Sequence, residues 1–253
     1  MIYYVISNEG NICKYFKTIP NIKHITTLDE INNVNSNYKV IPLIVIGFLS
    51  FINCKNCVFI NDIQSIDTLN NKVNFAKFMM NNFIDNISET FYYSTDNEKY
   101  INPKYLKYSG QYALISKPSI GLSGNGVYLI NTRIFPQNSI ISKYIIHNSY
   151  YSGHILVNNG IIIKKIFFHK QNNEKYHIER GAIKNYEVLE NINVSTEVFD
   201  QIFFKLNYSG FACIDFCINE NIIKIFEINP RIGASLLYNE AILTDFFISL
   251  VTN

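Results

Sequence analysis

Two acidic residues and one amide near the end of the chain have the spacing of a metal site. Asp215 lies in an apolar run that starts at Gly210, and Glu227 and Asn229 lie in a second apolar run. Successive side chains of a β-strand point to opposite faces, so Glu227 and Asn229 project from the same face. A hairpin turn at 219–221 would bring Asp215 beside Glu227. Two carboxylates and an amide oxygen are ligands that magnesium prefers and zinc does not.

The alternative is an ordinary hairpin with solvated charges. Both acids lie within strongly apolar runs, where an unpaired charge would cost several kcal/mol. We therefore favour the metal site. Arg231 follows the last ligand closely and would place a fixed cation at its edge.

A glycine-rich loop is the second chemical signal. The run from Tyr112 to Lys117 predicts a strand, and Gly121, Gly124 and Gly126 follow it. Glycines let backbone N–H groups approach a phosphate closely, and a lysine adds a point charge for the same anion. The loop neither ends in Gly-Lys-Ser/Thr nor opens a helix, so it is not a Walker-type loop. A plain glycine-rich turn is the alternative interpretation.

Hydrophobic periodicity predicts the elements around these signals. It predicts a helix over 66–82 capped by Asp67 or Thr68, a strand over 139–146, a hairpin turning at 158–160, and helices over 194–207 and 236–251. The polar stretch 171–188 is a candidate substrate-facing loop.

The first seventy residues predict a small α/β unit with a parallel sheet. Strands are expected at 2–7, 40–48 and 57–60, and a helix at 28–34. No glycine fingerprint of the dinucleotide-binding type follows the first strand. This unit is therefore expected to be a platform rather than a nucleotide site.

Composition narrows the classes of protein and partner. Among 253 residues the net charge is +2 and only 17% are charged, which indicates no nucleic-acid or membrane partner. No apolar run is long enough for a membrane span, and the start lacks the basic residues of a signal peptide. We expect a cytoplasmic protein.

Cys54 and Cys57 have the spacing of half a zinc site but lack a second pair, so reduced thiols are expected.

Taken together, the chain resembles the ATP-grasp enzymes over about residues 71–235. The motifs occur in the order known for that family. They are Asn71-Lys72 opening a helix, the strand ending Ser116-Lys117-Pro118, the loop from Gly121 to Gly126, the hinge from Ser142 to Ile145, Ile214-Asp215-Phe216, and Phe226-Glu227-Ile228-Asn229-Pro230-Arg231-Ile232-Gly233.

The resemblance implies an α+β fold in which two α+β subdomains clasp ATP, preceded by a small, shortened α/β domain. The expected domains are 1–70 and 71–253, with a lid subdomain at about 104–145. The lead domain is shorter than is usual for the family. This implies a small substrate, or a partner chain that completes the site.

The resemblance also implies a role for each matching residue. Lys72 and Lys117 would hold the α and β phosphates, and Gly121, Ser123, Gly124, Asn125 and Gly126 would cover the β and γ phosphates. Ser142, Lys143, Tyr144 and Ile145 would contact adenine. Asp215, Glu227 and Asn229 would hold two Mg²⁺ ions, with Mn²⁺ as an alternative, and Arg231 would stabilise the transferred phosphoryl group.

The implied function is that of an ATP-dependent ligase. It would activate a carboxylate as an acyl phosphate and then form an amide with an amine such as an amino acid or peptide. The expected partners are small-molecule carboxylates and amines, and a homodimer is left open. The alternatives are a non-catalytic or partner-dependent ATP-binding subunit, and a kinase-like or carboxylase-like reaction.

Two positions depart from the pattern of the family, and the role of a third residue is open. The hinge has Ser142-Lys143 where an acid or Gln-Glu is usual, which implies that backbone groups alone read the adenine amine. Residues 150–152 replace an acid that often contacts the ribose, and His154 is a candidate substitute. Arg180 is either a contact for a substrate anion or a solvated loop residue.

Overall fold

Three short strands form a parallel sheet near the start of the chain. In the computed structural model they are β1 (Tyr3–Ile6), β2 (Ile22–Ile25) and β3 (Lys39–Pro42), in the order β2-β1-β3. The structure describes residues 3–6, 22–25, 39–42, 63–121, 124–178, 185–237 and 239–252. The parallel pairing agrees with the prediction. The helix expected at 28–34, the strand at 57–60 and the two cysteines 54 and 57 lie outside the described residues.

Two helices follow where the sequence predicted one over 66–82. They are α1 (Ile63–Asn70) and α2 (Lys72–Asn82), and they are separated by Asn71 at φ −88° and ψ 115°. The Asn71 side chain accepts hydrogen bonds from the N–H groups of Val73 and Asn74. The Asn71 side chain is therefore the N-cap of α2. The prediction that Asp67 or Thr68 supplies the cap is wrong. The cap places Lys72 at the first position of α2.

A five-stranded antiparallel sheet carries the glycine-rich loop. Its strands are β4 (Thr90–Ser94), β5 (Lys99–Ile101), β6 (Leu114–Pro118), β7 (Tyr128–Ile130) and β8 (Ser139–Lys143), in the order β5-β4-β8-β6-β7. The short helix α3 (Pro103–Leu106) follows β5. Aromatic rings dominate the core of this sheet, including Phe91, Tyr92, Tyr105 and Tyr108. The sequence analysis did not predict β4, β5 or α3.

A second five-stranded antiparallel sheet carries the acidic residues. Its strands are β9 (Ser149–Asn158), β10 (Ile161–Gln171), β11 (Glu187–Leu189), β12 (Gly210–Asn219) and β13 (Ile222–Asn229), in the order β11-β10-β9-β12-β13. Both predicted hairpins of this sheet are confirmed. Their turns place Asn159, Gly160, Glu220 and Asn221 at positive φ, as a tight two-residue hairpin requires.

Helices cover the core face of the second sheet. Helix α4 (Glu197–Lys205) buries Phe199, Ile202 and Phe203 against strand residues such as Phe167 and Phe216. Helices α1 and α2 contribute Leu69, Phe75 and Met79 to the same cluster. The chain ends in α5 (Ala234–Leu237) and α6 (Glu240–Thr252). None of the helices in the described ranges is both long and apolar enough to cross a membrane.

The opposite face of the second sheet contains a buried histidine. His154 of β9 is 1% exposed, and its Nε2 lies 2.8 Å from Ser235 Oγ. Burial lowers the pKa of His154 to about 3. The side chain is therefore neutral in the native protein at neutral pH, and it is too deeply buried to fit the ribose contact considered from the sequence.

This burial makes stability depend on pH. A histidine in an unfolded chain has a pKa near 6.5. Below this pH the histidine binds a proton in the unfolded state, whereas the buried His154 of the native state does not. The free energy of unfolding should fall as the pH decreases from about 6.5 toward 3, by at most about 1.4 kcal/mol per pH unit for this one group. Above pH 6.5 the penalty is absent.

The variant His154→Gln removes this titration and retains a group that can reach Ser235. Urea denaturation between pH 7 and pH 5 should show a shallower pH dependence for the variant than for the wild type. His147, whose pKa is also lowered by burial, contributes equally to both proteins. Parallel stability curves would contradict the expectation.

Candidate active site

A β-bulge aims the acidic residues at one face of the second sheet. Ile223 and Ile225 of β13 point into the core, and in a regular strand Glu227 would follow them there. Glu227 pairs with Asp215 whereas Phe216 pairs with Ile225, so Phe226 is an extra residue in β13. A bulge of this kind shifts the alternation of side chains. Glu227 therefore lies opposite Asp215 on the face away from the core.

Asp215 occupies a half-buried position on an interior strand of the sheet. It pairs with Glu227 of β13 on one side and with Ser152 of β9 on the other. Burial and the nearby charge of Glu227 raise the pKa of Asp215 to about 7, although hydrogen bonding to Ser152 and Tyr150 and the charge of Arg231 favour the ionised form. The carboxylate is thus poorly stabilised in the protein alone, and a bound cation would relieve this.

Lys72 joins the acidic residues to the glycine-rich loop. Its Nζ lies 3.2 Å from Glu227 Oε2 and donates a hydrogen bond of 3.2 Å to the carbonyl of Gly121. Its backbone N–H donates to Ser119 O at 2.7 Å. One residue at the start of α2 therefore holds both the base of the loop and a metal-ligand candidate.

Glu227 is held in its ionised form. Burial alone would raise its pKa, but the charges of Lys72 and Lys117 and a hydrogen bond from Asn229 outweigh burial and lower the pKa. Asn229 Nδ2 lies 3.0 Å from Glu227 Oε1. Glu227 and Asn229 therefore act as one unit, with the amide oxygen left for another partner.

Lys117 brings the first sheet to the same place. It belongs to β6, and its Nζ donates to the carbonyl of Phe226 at 3.3 Å and lies 5.7 Å from the centre of the Phe226 ring. Burial lowers the pKa of Lys117, and the charge of Lys72 acts in the same direction, whereas Glu227 and Asp215 oppose it. The bulged Phe226 thus provides a contact between the two sheets.

Arg231 carries an unsatisfied donor. Its backbone N–H donates to Asn229 O at 2.8 Å, which sets the start of the turn after β13. Its side-chain atom Nη1 is buried and has no hydrogen-bond acceptor within the described part of the chain. A buried donor without a partner is costly, so this guanidinium fits an anionic ligand better than the protein alone.

The glycine-rich loop closes on Pro118. Gly124 and Gly126 have φ of 72° and 73°, a region that other residues rarely adopt. A Cβ atom on Gly121 would lie 2.9 Å from Pro118 Cγ, and one on Gly126 would lie 3.2 Å from the same atom. Asn125 lies within the turn, and Ser123 lies outside the described residues. The described part of the loop is therefore mostly exposed backbone, as the sequence predicted.

The hinge uses most of its backbone groups internally. Lys143 and Tyr144 donate their N–H groups to Glu89 O at 2.9 Å and Ala113 O at 3.0 Å. The carbonyl of Ile145 accepts from His147 Nδ1 at 2.8 Å. Within the described ranges no bond from the N–H of Ile145 to a loop or turn carbonyl is present. Ser142 is the β8 residue paired with Thr90 and Ile115.

Aromatic side chains between the hinge and the acidic residues were missed by the sequence analysis. The Phe226 ring centre lies 5.2 Å from that of His147 and 6.0 Å from that of Tyr150. Tyr150 and Ser152 alternate along β9 with Tyr151, which faces the core. This alternation was a readable signal, but only the order of strands shows that it borders Asp215.

The hinge is also tied to the first part of the candidate substrate-facing loop, which was expected at 171–188. The Tyr144 hydroxyl donates to the His177 carbonyl at 2.8 Å and accepts from the His177 N–H at 2.8 Å. Asn172 donates from its backbone to Asn148 O at 2.6 Å and from its side chain to His147 O at 3.2 Å. Arg180, in the next segment, lies outside the described residues.

The assembled residues fit a magnesium ion bound together with an anion. Among the described residues no three His, Cys, Asp or Glu side chains cluster as a metal site by themselves. Two carboxylates and one amide oxygen leave coordination positions open, which suits Mg²⁺ when phosphate oxygens complete its shell. The orphaned Arg231 donor and the two lysines offer contacts for the same phosphates.

Comparisons with solved structures show the same fold. Phosphoribosylamine–glycine ligase from Thermotoga maritima is 14% identical, with a TM-score of 0.66 over 98% of this chain and 73% of that one. D-alanine–D-alanine ligase from Bacillus anthracis, complexed with ATP, is 15% identical, with a TM-score of 0.59 over 100% of both chains. L-amino acid ligase from Bacillus licheniformis is 13% identical, with a TM-score of 0.59 over 92% of this chain and 67% of that one.

Sequence comparisons identify the family. No curated protein matches this chain. A family model described as the ATP-grasp domain matches residues 65–235, which is more than half of the chain and includes Lys72, Lys117, the acidic residues and Arg231. The resemblance predicted from the motifs is confirmed, and the chain belongs to the ATP-grasp family.

Proposed function

We propose that this protein activates a carboxylate by phosphoryl transfer from ATP and then joins it to an amine. The main observation behind this proposal is that two lysines, Lys72 and Lys117, lie beside the three oxygen ligands Asp215, Glu227 and Asn229. A third cation, Arg231, acts on the charge of Asp215. Elements from both sheets and from α2 supply these groups. Oxygen ligands beside several cations suit a metal-bound polyphosphate.

The chemistry explains why so much positive charge is needed. A carboxylate is a poor electrophile until it is phosphorylated, and attack by one anion on an anionic triphosphate is opposed by charge repulsion. Fixed cations reduce that barrier. Lys72 and Lys117 would hold the α and β phosphates, and the unsatisfied Nη1 of Arg231 would meet the transferred phosphoryl group.

Asp215, Glu227 and Asn229 would hold the metal. Two Mg²⁺ ions, or Mn²⁺ in their place, would neutralise the phosphates and orient them. The raised pKa of Asp215 supports this role, because a metal ion beside it would favour the ionised carboxylate. Lys72 now bonds Glu227 Oε2, so the ligand shell must be exchanged when the metal and nucleotide bind.

The glycine-rich loop and the hinge would hold the rest of the nucleotide. Lys72 Nζ now also occupies the Gly121 carbonyl, so transfer of this ammonium to a phosphate would release the loop to close. A closed loop would exclude water, which would otherwise hydrolyse an acyl phosphate. The N–H of Ile145 is the proposed adenine contact, with the Phe226 ring nearby.

The class of acceptor is drawn from the similar structures. All three are named as ligases, and each of the three names includes an amino acid. We therefore propose an amino acid or peptide as the amine. The domain division at residue 70, the cytoplasmic location and a homodimer stay predictions.

Removing the Lys72 ammonium should weaken nucleotide binding. Lys72→Met should raise the Kd of Mg·ATP about tenfold or more, because a charge-assisted hydrogen bond contributes about 1.5–3 kcal/mol. Isothermal titration calorimetry measures this Kd. The matched control is Lys77→Met on the same helix, since Lys77 pairs with Glu98 away from the site. Equal affinities of the two variants would contradict the assignment of Lys72.

Turnover should depend on the acidic residues. ADP formation across a panel of small carboxylates and amines should identify an active pair, and Asp215→Asn combined with Glu227→Gln should abolish it. Activity that survives the double substitution would contradict the proposed metal site.

The same assay separates an enzyme from an ATP-binding subunit without turnover. Mg·ATP at a hundredfold excess over its Kd should stabilise the wild type by about 2.7 kcal/mol. Stabilisation without ADP release in any reaction of the panel would favour the non-catalytic alternative.

A further inference from the structure

The turn after β13 folds back over the sheet that carries the acidic residues. A Cβ atom on Gly233 would lie 2.5 Å from Cys213 Sγ and 2.6 Å from His154 Cε1. Separations this short are not tolerated between heavy atoms, so only glycine fits here. The turn therefore rests directly on β12 and β9 and cannot move toward them.

A buried hydrogen bond fixes the end of this turn. His154 Nε2 lies 2.8 Å from Ser235 Oγ, and the two residues are 1% and 3% exposed. Ser235 follows β13, whereas His154 belongs to β9, and β12 lies between those strands. The bond therefore reaches across β12. We call this pair the His154–Ser235 clasp.

Arg231 lies between two fixed points. Its own N–H donates to Asn229 O at 2.8 Å, so the turn begins in a set position. The contacts of Gly233 and the clasp set its far end. The Arg231 Nη1 atom between them is buried and has no acceptor among the described residues. The direction of the guanidinium thus depends on a turn that is held at both ends.

We propose that the His154–Ser235 clasp positions Arg231 for the transferred phosphoryl group of ATP. This inference rests on the proposed function. His154 and Ser235 act through the turn and touch neither the nucleotide nor the reacting carboxylate, so they are positioning residues. A purely structural clasp would affect stability alone, whereas a positioning clasp also affects the recognition of the γ-phosphoryl group.

The test compares the Kd of Mg·ATP with the Kd of Mg·ADP by calorimetry. Only ATP has a γ-phosphoryl group, so the ratio of these two constants measures the contribution of contacts with that group. Arg231→Met should reduce the preference for ATP about tenfold or more. Ser235→Ala should reduce it about threefold or more, with the Kd of Mg·ADP unchanged. The control is Ser209→Ala, which removes another buried serine hydroxyl, bonded to the Asn159 N–H at 2.8 Å.

A second pair of variants keeps the inference testable if one protein fails to fold. His154→Gln can still reach Ser235 and should retain most of the preference for ATP, whereas His154→Leu should lose it as Ser235→Ala does. The clasp role is overturned if Ser235→Ala and His154→Leu keep the wild-type ratio while Arg231→Met loses it.

Failure of the proposed function gives a different result. A wild type that does not bind Mg·ATP, or an Arg231→Met variant with the wild-type ratio, removes the role of Arg231 itself. The clasp inference then falls with that role. If Ser209→Ala also reduces the preference for Mg·ATP over Mg·ADP, the effect is one of general destabilisation, and the inference is overturned.

Discussion

The candidate site depends on the bulge at Phe226. Without this extra residue Glu227 would follow Ile223 and Ile225 into the apolar core, where an ionised carboxylate is costly. The bulge turns Glu227 and Asn229 to the face that carries Asp215. It also supplies the Phe226 carbonyl to Lys117. One irregular residue thus orients the acidic ligands and joins the two sheets.

The balance of positive and negative charge is the second constraint on the candidate site. Glu227 keeps its charge because Lys72 and Lys117 lie close to it, whereas Asp215 lacks comparable support. Buried charges are stable only when they are paired. The charge of Arg231 therefore does not fully offset the burial of Asp215, and Arg231 Nη1 has no acceptor among the described residues. A metal-bound polyphosphate would satisfy both needs, which is the physical basis of the proposed function.

The sequence predicted the chemical groups of the candidate site better than the residues that surround them. The hairpins around residues 158–160 and 219–221 were predictable because turn residues and apolar alternation are local signals. Hydrophobic periodicity missed the break at Asn71 because apolar residues continue across it, although the motif Asn71-Lys72 indicated a helix start there. Tyr150, Ser152 and His147 were missed because their place beside Asp215 and Phe226 depends on strand order, which is a long-range property. The burial of His154 likewise depends on the turn that covers it.

The paired bonds between Tyr144 and His177 limit how such a chain can be altered. Insertions in surface loops are usually tolerated, but here the segment 172–177 is anchored to the hinge through Tyr144 and Asn172. A change of length between residues 172 and 177 would therefore pull on the hinge. Attempts to graft a new acceptor loop should keep these residues.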